Sequence, residues 1–300
     1  MQQTYSLADL QNWRSRAPDG APIRLGVFGS PVAHSRSPEM HNAALQHCGL
    51  EMRYARFEIA PAELEAALRL LPSLGYVGVN LTIPHKIAAV SLVDSVDEFA
   101  RRVGAINSVR VVGEKLVGFN TDGPGFARAI RSEFSVDLRD LRVLVFGAGG
   151  AARAIAVQCA LERCGSLILV NRTVEKALKL ASDLRPTLSG PDATRLEVSS
   201  WNERAIDSLL GGAELAVNAT ALGMRESDPP VLPPQLVRAD LMIYDTIYGV
   251  AQTPLVAAAQ AAGARSADGR SMLVHQGALA FEAWFGGAAP LTQMRAVLEP

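Results

Sequence analysis

Cysteine is scarce in this sequence, and its scarcity limits the chemistry. The three cysteines, Cys48, Cys159 and Cys164, show no CxxC spacing, so neither a dithiol motif nor a cysteine-based metal site is predicted. Cys159 and Cys164 fall in an alanine-rich helical stretch, where we expect buried structural thiols. We predict no bound metal.

Excess charge and long apolar runs are missing too. The chain has 29 basic and 30 acidic residues and a pI near 6.5, which gives no positive field for nucleic acid or an anionic membrane. No apolar run approaches the roughly 18 residues of a membrane span, and the start lacks the basic-then-apolar order of a signal peptide. We expect a cytoplasmic protein, a monomer or homodimer, with a small-molecule partner.

The length and the order of apolar runs predict two α/β domains. A chain of 300 residues tends to divide into two cores. Strand-like runs at 23–29, 52–59 and 75–82 alternate with helical patterns at 38–48 and 61–71, which indicates a mostly parallel sheet covered by helices. A second such region has strand-like runs at 143–146, 167–170, 215–218 and 242–245. We expect a cleft between the two domains.

The second region carries a dinucleotide-binding pattern. The strand-like run 142–146 leads into Gly147, Ala148, Gly149, Gly150 and Ala151, a GxGxxA turn followed by a helical stretch. In this motif the first glycine makes the turn, the second lets the backbone approach a pyrophosphate, and the helix start donates N–H groups. A tight turn without a ligand is the alternative.

The residues after the next strand favour NADP over NAD. An NAD-binding protein carries an acidic residue here for the ribose 2′-hydroxyl. This chain instead has Asn171, Arg172 and Thr173, with Lys176 one turn on. A cation and neighbouring donors suit a 2′-phosphate. An exposed basic helix start, partly offset by Glu175, is the alternative.

A paired-serine segment in the first region could hold an anion. Ser35 and Ser37 are separated by one residue, so an extended backbone points them to the same side. Pro38 favours that extended form and fits the first helical position. Ser37 could cap the helix, or both hydroxyls and the helix start could bind an anion together.

The stretch 78–86 (GVNLTIPHK) places three polar groups at the end of a strand. Asn80 and Thr82 share one face of an extended chain. Lys86 follows at the carboxyl edge of the sheet, where open α/β sheets bind ligands. Taken alone, Lys86 would be a solvated surface residue. His85, its neighbour, would face the other way and is a weaker candidate acid.

A hairpin should bring two further polar residues to that edge. Gly113 suits the first position of a two-residue type II′ turn, which pairs the strands so that Asn107 lies opposite Asn120. Asn107 and Asp122 would then emerge at the same end. A turn aspartate is the alternative for Asp122.

Taken together, these motifs resemble the shikimate dehydrogenase family. The resemblance spans nearly the whole chain beyond the first residues, in order. It runs through SPVAHSRSPEMHN at 30–42, NLTIPHK at 80–86, GAIN at 104–107, GFNTDGPGF at 118–126, GAGGAAR at 147–153, NRT at 171–173, NAT at 218–220, GM at 223–224, DTIY at 245–248, TPL at 253–255 and QGALAFE at 276–282.

The resemblance implies a role for each matching residue. Ser35 and Ser37 would hold the substrate carboxylate, and Lys86 with Asp122 would form the catalytic pair. The ring hydroxyls would be bound by Asn80, Thr82, Asn107 and Gln276, with Tyr248 lining the pocket; Thr220, Met224 and Gly249 would lie on the cofactor side. The implied domains are 1–121 plus 269–300 for substrate and 122–268 for NADP.

The implied reaction is the NADP-dependent, reversible reduction of 3-dehydroshikimate to shikimate. An ammonium beside the reacting carbonyl would stabilise alkoxide charge and could supply the proton; whether Lys86 transfers it or only organises the site stays open. Alternatives are a paralogue acting on quinate, aminoshikimate or a related cyclohexene acid, a catalytically silent NADP-binding sensor, and a tetrahydrofolate-type dehydrogenase. Ser108, Ala221 and Val250 depart from the family pattern.

Overall fold

The chain folds into two compact α/β units. The computed structural model describes residues 4–12, 21–188, 193–225, 227–249 and 252–299. One unit comprises Met1–Thr121 with Val274–Pro300, and the other comprises Asp122–Leu273. The predicted fold class, two α/β halves with largely parallel sheets, is confirmed.

The first unit contains a seven-stranded sheet in the order β1-β3-β2-β4-β6-β7-β5. All neighbouring strands are parallel except β6, which runs antiparallel to both β4 and β7. The strands are β1 Thr4–Ser6, β2 Ile23–Gly29, β3 Arg53–Glu58, β4 Gly78–Leu81, β5 Ser95–Val96, β6 Ser108–Val112 and β7 Lys115–Phe119.

Helices of the first unit lie between these strands and after the second unit. They are α1 Leu7–Gln11, α2 Ser37–His47, α3 Leu64–Leu70, α4 His85–Ala88, α5 Glu98–Val103 and α12 Leu291–Ala296, with short 3-10 turns at Pro61–Glu63 and Ala89–Ser91. The long helix α11, Arg270–Phe285, contains the boundary at Leu273.

The first residues form structure that the sequence did not reveal. The first strand-like run predicted from the sequence is 23–29, yet Thr4–Ser6 already pairs in parallel with β3 at the edge of the sheet. Ser6 then caps α1, accepting from the backbone N–H of Asp9 while the Asp9 carboxylate accepts from the backbone N–H of Ser6. Only Leu10 of α1 is fully buried, so the segment is too short and polar to show a hydrophobic period.

The predicted hairpin is confirmed in its register and its turn. Val112 pairs with Lys115, and Ser108 pairs with Phe119, so Asn107 and Asn120 stand at the open end. Gly113 has φ 60°, while Glu114 is not among the residues with positive φ. This combination matches a type II′ turn.

The second unit contains a six-stranded, wholly parallel sheet in the order β10-β9-β8-β11-β12-β13. Its strands are β8 Arg142–Phe146, β9 Ser166–Asn171, β10 Arg195–Ser200, β11 Leu215–Asn218, β12 Met242–Asp245 and β13 Ser266–Ala267. Its helices are α6 Asp122–Phe134, α7 Gly150–Leu161, α8 Val174–Leu184, α9 Glu203–Leu210 and α10 Pro254–Ala261, with 3-10 turns at Leu138–Asp140, Arg185–Thr187 and Pro234–Leu236.

Each unit has its own apolar core. Phe28, Phe57 and Val79 are fully buried in the first, and Leu144 and Ile243 in the second. These residues come from central strands that are covered on both sides, which is why the strands read as continuous apolar runs. Within the described ranges, no helix is long and apolar enough to cross a membrane.

Candidate functional site

The serine loop, residues 30–37, precedes α2 at the carboxyl end of β2. Ser35 Oγ accepts a hydrogen bond from the backbone N–H of Ser37 at 3.3 Å. The N-cap of α2 is Arg36, which makes no capping bond through its side chain, so the interpretation of Ser37 as a helix cap is wrong. Ser37 is 6% exposed, and its hydroxyl makes no hydrogen bond to the residues that the structure describes.

The same loop is tied to strand β3 by two charged residues. Arg56 donates through Nε and Nη2 to the carbonyl oxygen of Ser35, at 2.9 and 2.5 Å. Its Nη2 also donates to both carboxylate oxygens of Glu39, at 2.6 and 2.9 Å. Two residues along β3, Glu58 Oε2 accepts from the backbone N–H of Val32 at 3.0 Å. The loop therefore has a fixed backbone.

Five polar side chains, the amide cluster, join three strands to α11. They are Tyr54, Asn80, Asn107, Ser108 and Gln276. The Tyr54 hydroxyl donates to Asn80 Oδ1 at 2.7 Å, and Asn80 Nδ2 donates to Ser108 Oγ at 2.8 Å. Ser108 Oγ donates to Asn107 Oδ1, and Asn107 Nδ2 donates to Gln276 Oε1, both at 3.2 Å. The structure thus brings together Asn80, Asn107 and Gln276, which the sequence analysis predicted as substrate-binding residues.

Hydrogen bonds fix which way the amides of the cluster point. Asn107 Oδ1 accepts from the backbone N–H of Thr121 at 2.8 Å, and Asn107 Nδ2 donates to Thr121 Oγ1 at 2.9 Å. Asn80 Nδ2 has a second, longer bond to the carbonyl of Asn107 at 3.4 Å. Because Tyr54 fills one lone pair of Asn80 Oδ1, one acceptor position of this oxygen remains.

Lys86 lies on α4, a short helix that starts just after β4. Its side chain is half-buried, and its carbonyl oxygen accepts from the backbone N–H of Ile106 at 2.8 Å, which sets it beside the start of β6. Thr82 follows β4 with its methyl group against Gly29. Its hydroxyl makes no hydrogen bond to the amide cluster in the described ranges.

His85 has a packing role. The ring is 1% exposed, and Nε2 lies 2.8 Å from the carbonyl oxygen of Ile59. Burial lowers the pKa of His85 from 6.5, although the bond to Ile59 and the charge of Glu58 oppose that shift. The ring therefore stays neutral near pH 7, and the structure turns it into the fold rather than toward solvent.

Asp122 begins α6 and is 4% exposed. It directly follows Thr121, whose backbone N–H and hydroxyl both bond Asn107. The first turn of the helix holds the carboxylate at its positive end, where negative charge is favoured.

The glycine-rich turn of the second unit has the geometry of a phosphate cradle. Gly147 has φ 118°, and a Cβ atom there would lie 2.7 Å from the carbonyl oxygen of Ala219. A Cβ atom on Gly149 would meet nothing within 4 Å. The helix α7 begins at Gly150 without a side-chain cap. Its first N–H groups, with those of Ala148 and Ala151, suit a pyrophosphate.

A basic, exposed edge follows β9. Asn171 Nδ2 donates to the carbonyl of Thr173 at 2.8 Å, which fixes the turn into α8. Arg172, Thr173 and Lys176 are exposed. A guanidinium, a hydroxyl and an ammonium group at this edge fit NADP, the dinucleotide that carries a 2′-phosphate.

A buried carboxylate organises the loops after β11 and β12. Asp245, 0% exposed, accepts from Asn218 Nδ2 at 2.9 Å, from Thr253 Oγ1 at 2.7 Å and from the backbone N–H of Ile247 at 3.1 Å. Asn218 Oδ1 in turn accepts from the hydroxyl of Thr220 at 2.7 Å. Burial raises the pKa of Asp245 from 3.8, and these hydrogen bonds oppose the shift.

The two loops carry the remaining predicted residues. Met224 follows β11 and is 53% exposed. Tyr248 is half-buried and Gly249, with φ 86°, is exposed after β12. Val250, which departs from the family pattern, lies outside the described residues. Within the described ranges, no group of three or more histidine, cysteine or acidic side chains could hold a metal ion.

Tyr54, Arg56 and Asp245 were not identified as contributors from the sequence. Arg56 had a usable signal, because it is a charged residue between the apolar Ala55 and Phe57 in a strand that reads as buried. A charge in such a strand needs a partner. Tyr54 had no such signal in the sequence, because its hydrogen bond to Asn80 reaches from β3 across β2 to β4.

The fold and the glycine-rich turn define a two-unit α/β protein with a Rossmann-type, dinucleotide-binding half. Three family models match the chain: the shikimate dehydrogenase substrate binding domain at 27–109, shikimate / quinate 5-dehydrogenase at 128–197, and the shikimate 5′-dehydrogenase C-terminal domain at 269–299. The chain belongs to the shikimate dehydrogenase family.

Individual relatives cover nearly the whole chain. A shikimate dehydrogenase (NADP(+)) of Methanopyrus kandleri is 42% identical over 92% of this chain and 94% of its own. The Thermus thermophilus shikimate 5-dehydrogenase in complex with NADP(H) and shikimate has a TM-score of 0.80 and 36% identity over 92% of this chain and 98% of its own. Quinate dehydrogenase from Corynebacterium glutamicum in complex with NAD has a TM-score of 0.81 and 29% identity, and the match covers 92% of this chain and 98% of its own.

Proposed function

We propose that this protein is an NADP-dependent shikimate dehydrogenase that reversibly reduces 3-dehydroshikimate to shikimate. The observation that carries the proposal is the polar carboxyl edge of the first sheet. Two serine hydroxyls, a lysine and hydrogen-bonded amides gather there in a chain of this family. Such a set matches a small acid with several hydroxyl groups and one carbonyl.

The substrate roles follow from hydrogen-bonding capacity. The hydroxyls of Ser35 and Ser37 each have a proton to donate to the substrate carboxylate. Thr82 and Gln276 bind the ring hydroxyls, and Asn80 contributes the acceptor position left on its Oδ1. Asn107 joins them by exchanging its 3.2 Å hydrogen bond to Gln276 for one to a ring hydroxyl. We include Tyr248 among the residues that line the pocket. The fixed orientation of the amides makes this binding selective for the positions of the hydroxyl groups.

The cofactor roles belong to the glycine-rich turn and the edge after β9. The backbone of residues 147–151 binds the pyrophosphate, and Asn171, Arg172, Thr173 and Lys176 bind the 2′-phosphate. Thr220, Met224 and Gly249 contact the nicotinamide end. Bound NADPH supplies the hydride.

Lys86 and Asp122 handle the charge that the reaction creates. When the carbonyl carbon is reduced, its oxygen gains negative charge, and the Lys86 ammonium stabilises that oxygen and gives it a proton at Nζ. Asp122 orients the ammonium and accepts a hydrogen bond from the substrate. In the reverse direction the same nitrogen takes up the hydroxyl proton.

We assign the substrate domain to residues 1–121 plus 269–300 and the NADP domain to 122–268. We assign the protein to the cytoplasm and propose that it acts as a monomer or homodimer. Size-exclusion chromatography with light scattering would distinguish the two assemblies.

The test is an absorbance assay at 340 nm with shikimate and quinate, each with NADP and with NAD at matched concentrations. The proposal predicts strong activity with shikimate and NADP and weak activity in the other three pairings. A preference for quinate would make the protein a paralogue, which the similarity to a quinate dehydrogenase and the changed residue Ala221 would then explain. Inactivity in all four pairings would contradict the proposal.

A further inference from the structure

Arg56 is a charged residue in a place that normally excludes charge. It is 6% exposed, and its neighbours Ala55 and Phe57 belong to the apolar core. A buried guanidinium is stable only when its donors are paired. Here its donors go to two groups beside the serine loop, the carbonyl of Ser35 and the carboxylate of Glu39.

Glu39 stands in the first turn of α2, where a carboxylate normally interacts with the helix start. A glutamate at the third helical position usually reaches back to the N-cap N–H and neutralises the positive helix end. In this structure the carboxylate is turned to Arg56 instead, and α2 has no side-chain cap. The helix start therefore keeps its affinity for an anion.

The hydrogen bonds from Arg56 also fix the orientation of the Ser35 peptide group in the serine loop. With the carbonyl of Ser35 held by the guanidinium, Ser35 Oγ accepts from the backbone N–H of Ser37 and retains its own proton. Ser37, nearly buried and without a hydrogen bond to the described residues, is a second donor that needs a partner. Each of the two hydroxyls therefore keeps a proton that it can donate to an acceptor.

We propose that Arg56 is a positioning residue for substrate binding: it fixes the Ser35 carbonyl and holds the Glu39 carboxylate away from the place that the substrate carboxylate takes. This inference rests on the proposed function, because it concerns the carboxylate of that substrate. Arg56 touches neither substrate nor cofactor in this scheme. Its effect is confined to the affinity for the acid.

The test compares steady-state kinetics of four variants with the wild type. They are Arg56→Met, Arg56→Lys, Glu39→Gln/Arg56→Met, and the control Arg53→Met. Arg53 lies on the same strand and bonds only a backbone carbonyl, Ala21, through Nε in the described contacts. Circular dichroism establishes that each variant is folded.

Arg56→Met should raise KM for shikimate about 30-fold, the effect of losing hydrogen bonds to a charged group. KM for NADP should stay within about twofold, because only substrate binding is disturbed. The double variant should recover most of this loss, to about fivefold above wild type, because no unpaired carboxylate remains. Arg53→Met should leave KM for shikimate unchanged.

Arg56→Lys gives an answer even if Arg56→Met does not fold. Lysine keeps the charge but lacks the fork that reaches two acceptors, so KM for shikimate should rise about fivefold. The inhibition constant of shikimate methyl ester, which carries no carboxylate, should change less than about twofold in every variant.

Two results would overturn the proposal while the wild type stays active with shikimate. One is a folded Arg56 variant with KM for shikimate near the wild-type value. The other is an equal loss for shikimate and its methyl ester, which would show a merely structural role. A wild type inactive with shikimate would instead remove the proposed function, and this inference with it.

Discussion

Replacing Thr253 with valine should show what the buried carboxylate of Asp245 requires. The Thr253 hydroxyl donates to Asp245 Oδ2 at 2.7 Å and accepts from the backbone N–H of Val256 at 3.3 Å, as the N-cap of α10. Valine has nearly the same shape and lacks both bonds. Thr253→Ser is the matched control, because it keeps the hydroxyl and loses only the methyl group.

The magnitude follows from these two bonds. Losing a hydrogen bond to a buried charged group costs about 2 kcal/mol and losing an N-cap about 1 kcal/mol, so Thr253→Val should lower the free energy of unfolding by about 3 kcal/mol. Thr253→Ser should cost about 1 kcal/mol for one buried methyl group. The difference of about 2 kcal/mol corresponds to a Tm about 4–8 °C lower for the valine variant.

The difference in unfolding free energy between Thr253→Val and Thr253→Ser should also depend on pH, and its sign can be worked out. Burial raises the folded-state pKa of Asp245 above 3.8, so the stability associated with this group is present at low pH and lost as pH rises through the folded pKa. Removing the Thr253 donor raises that pKa further. The gap between the valine and serine variants should therefore be larger at about pH 7.5 than at about pH 4.5.

Thermal unfolding followed by circular dichroism at both pH values measures the Tm of each variant. Equal Tm values for the two variants near neutral pH would refute the role of the hydroxyl. A gap that did not narrow on acidification would refute the account of the charged carboxylate, even if the stability loss itself were found.

Three further substitutions test the candidate site. Lys86→Ala should lower kcat about 1,000-fold, the scale of a lost general acid, while a fluorescence titration shows unchanged NADPH binding; near-normal turnover would defeat the catalytic role. Gly147→Ala should abolish NADPH binding, since its Cβ would lie 2.7 Å from the Ala219 carbonyl oxygen, whereas Gly165→Ala, with 3.6 Å of space, should bind normally. Arg172→Ala should weaken NADP binding at least about tenfold and NAD binding little; equal effects on both would exclude a 2′-phosphate contact.

The sequence predicted those parts of the fold whose signals are local. Apolar runs such as 143–146 marked buried strands, and the turn at Gly147 was recognisable because a glycine pattern stood between a strand and a helix. The hairpin register followed from one glycine and a count of two turn residues, and the structure agrees at Val112 and Lys115.

The parts that the sequence did not predict depend on distant contacts. Asn80 read as a strand residue facing a ligand, but its bonds to Tyr54 and Ser108 come from segments 26 and 28 residues away. Residues 4–6 pair with β3, and no local pattern in the sequence predicts this pairing. The capping interpretation of Ser37 failed because the helix begins one residue earlier than its proline suggested.

The most direct test of the central claim follows the hydride itself. The protein is mixed with 3-dehydroshikimate and NADPH that carries deuterium at both C4 positions, and the product is analysed by mass spectrometry. The account predicts shikimate that contains one deuterium, bound at the former carbonyl carbon. Unlabelled shikimate, or no shikimate at all, would contradict it.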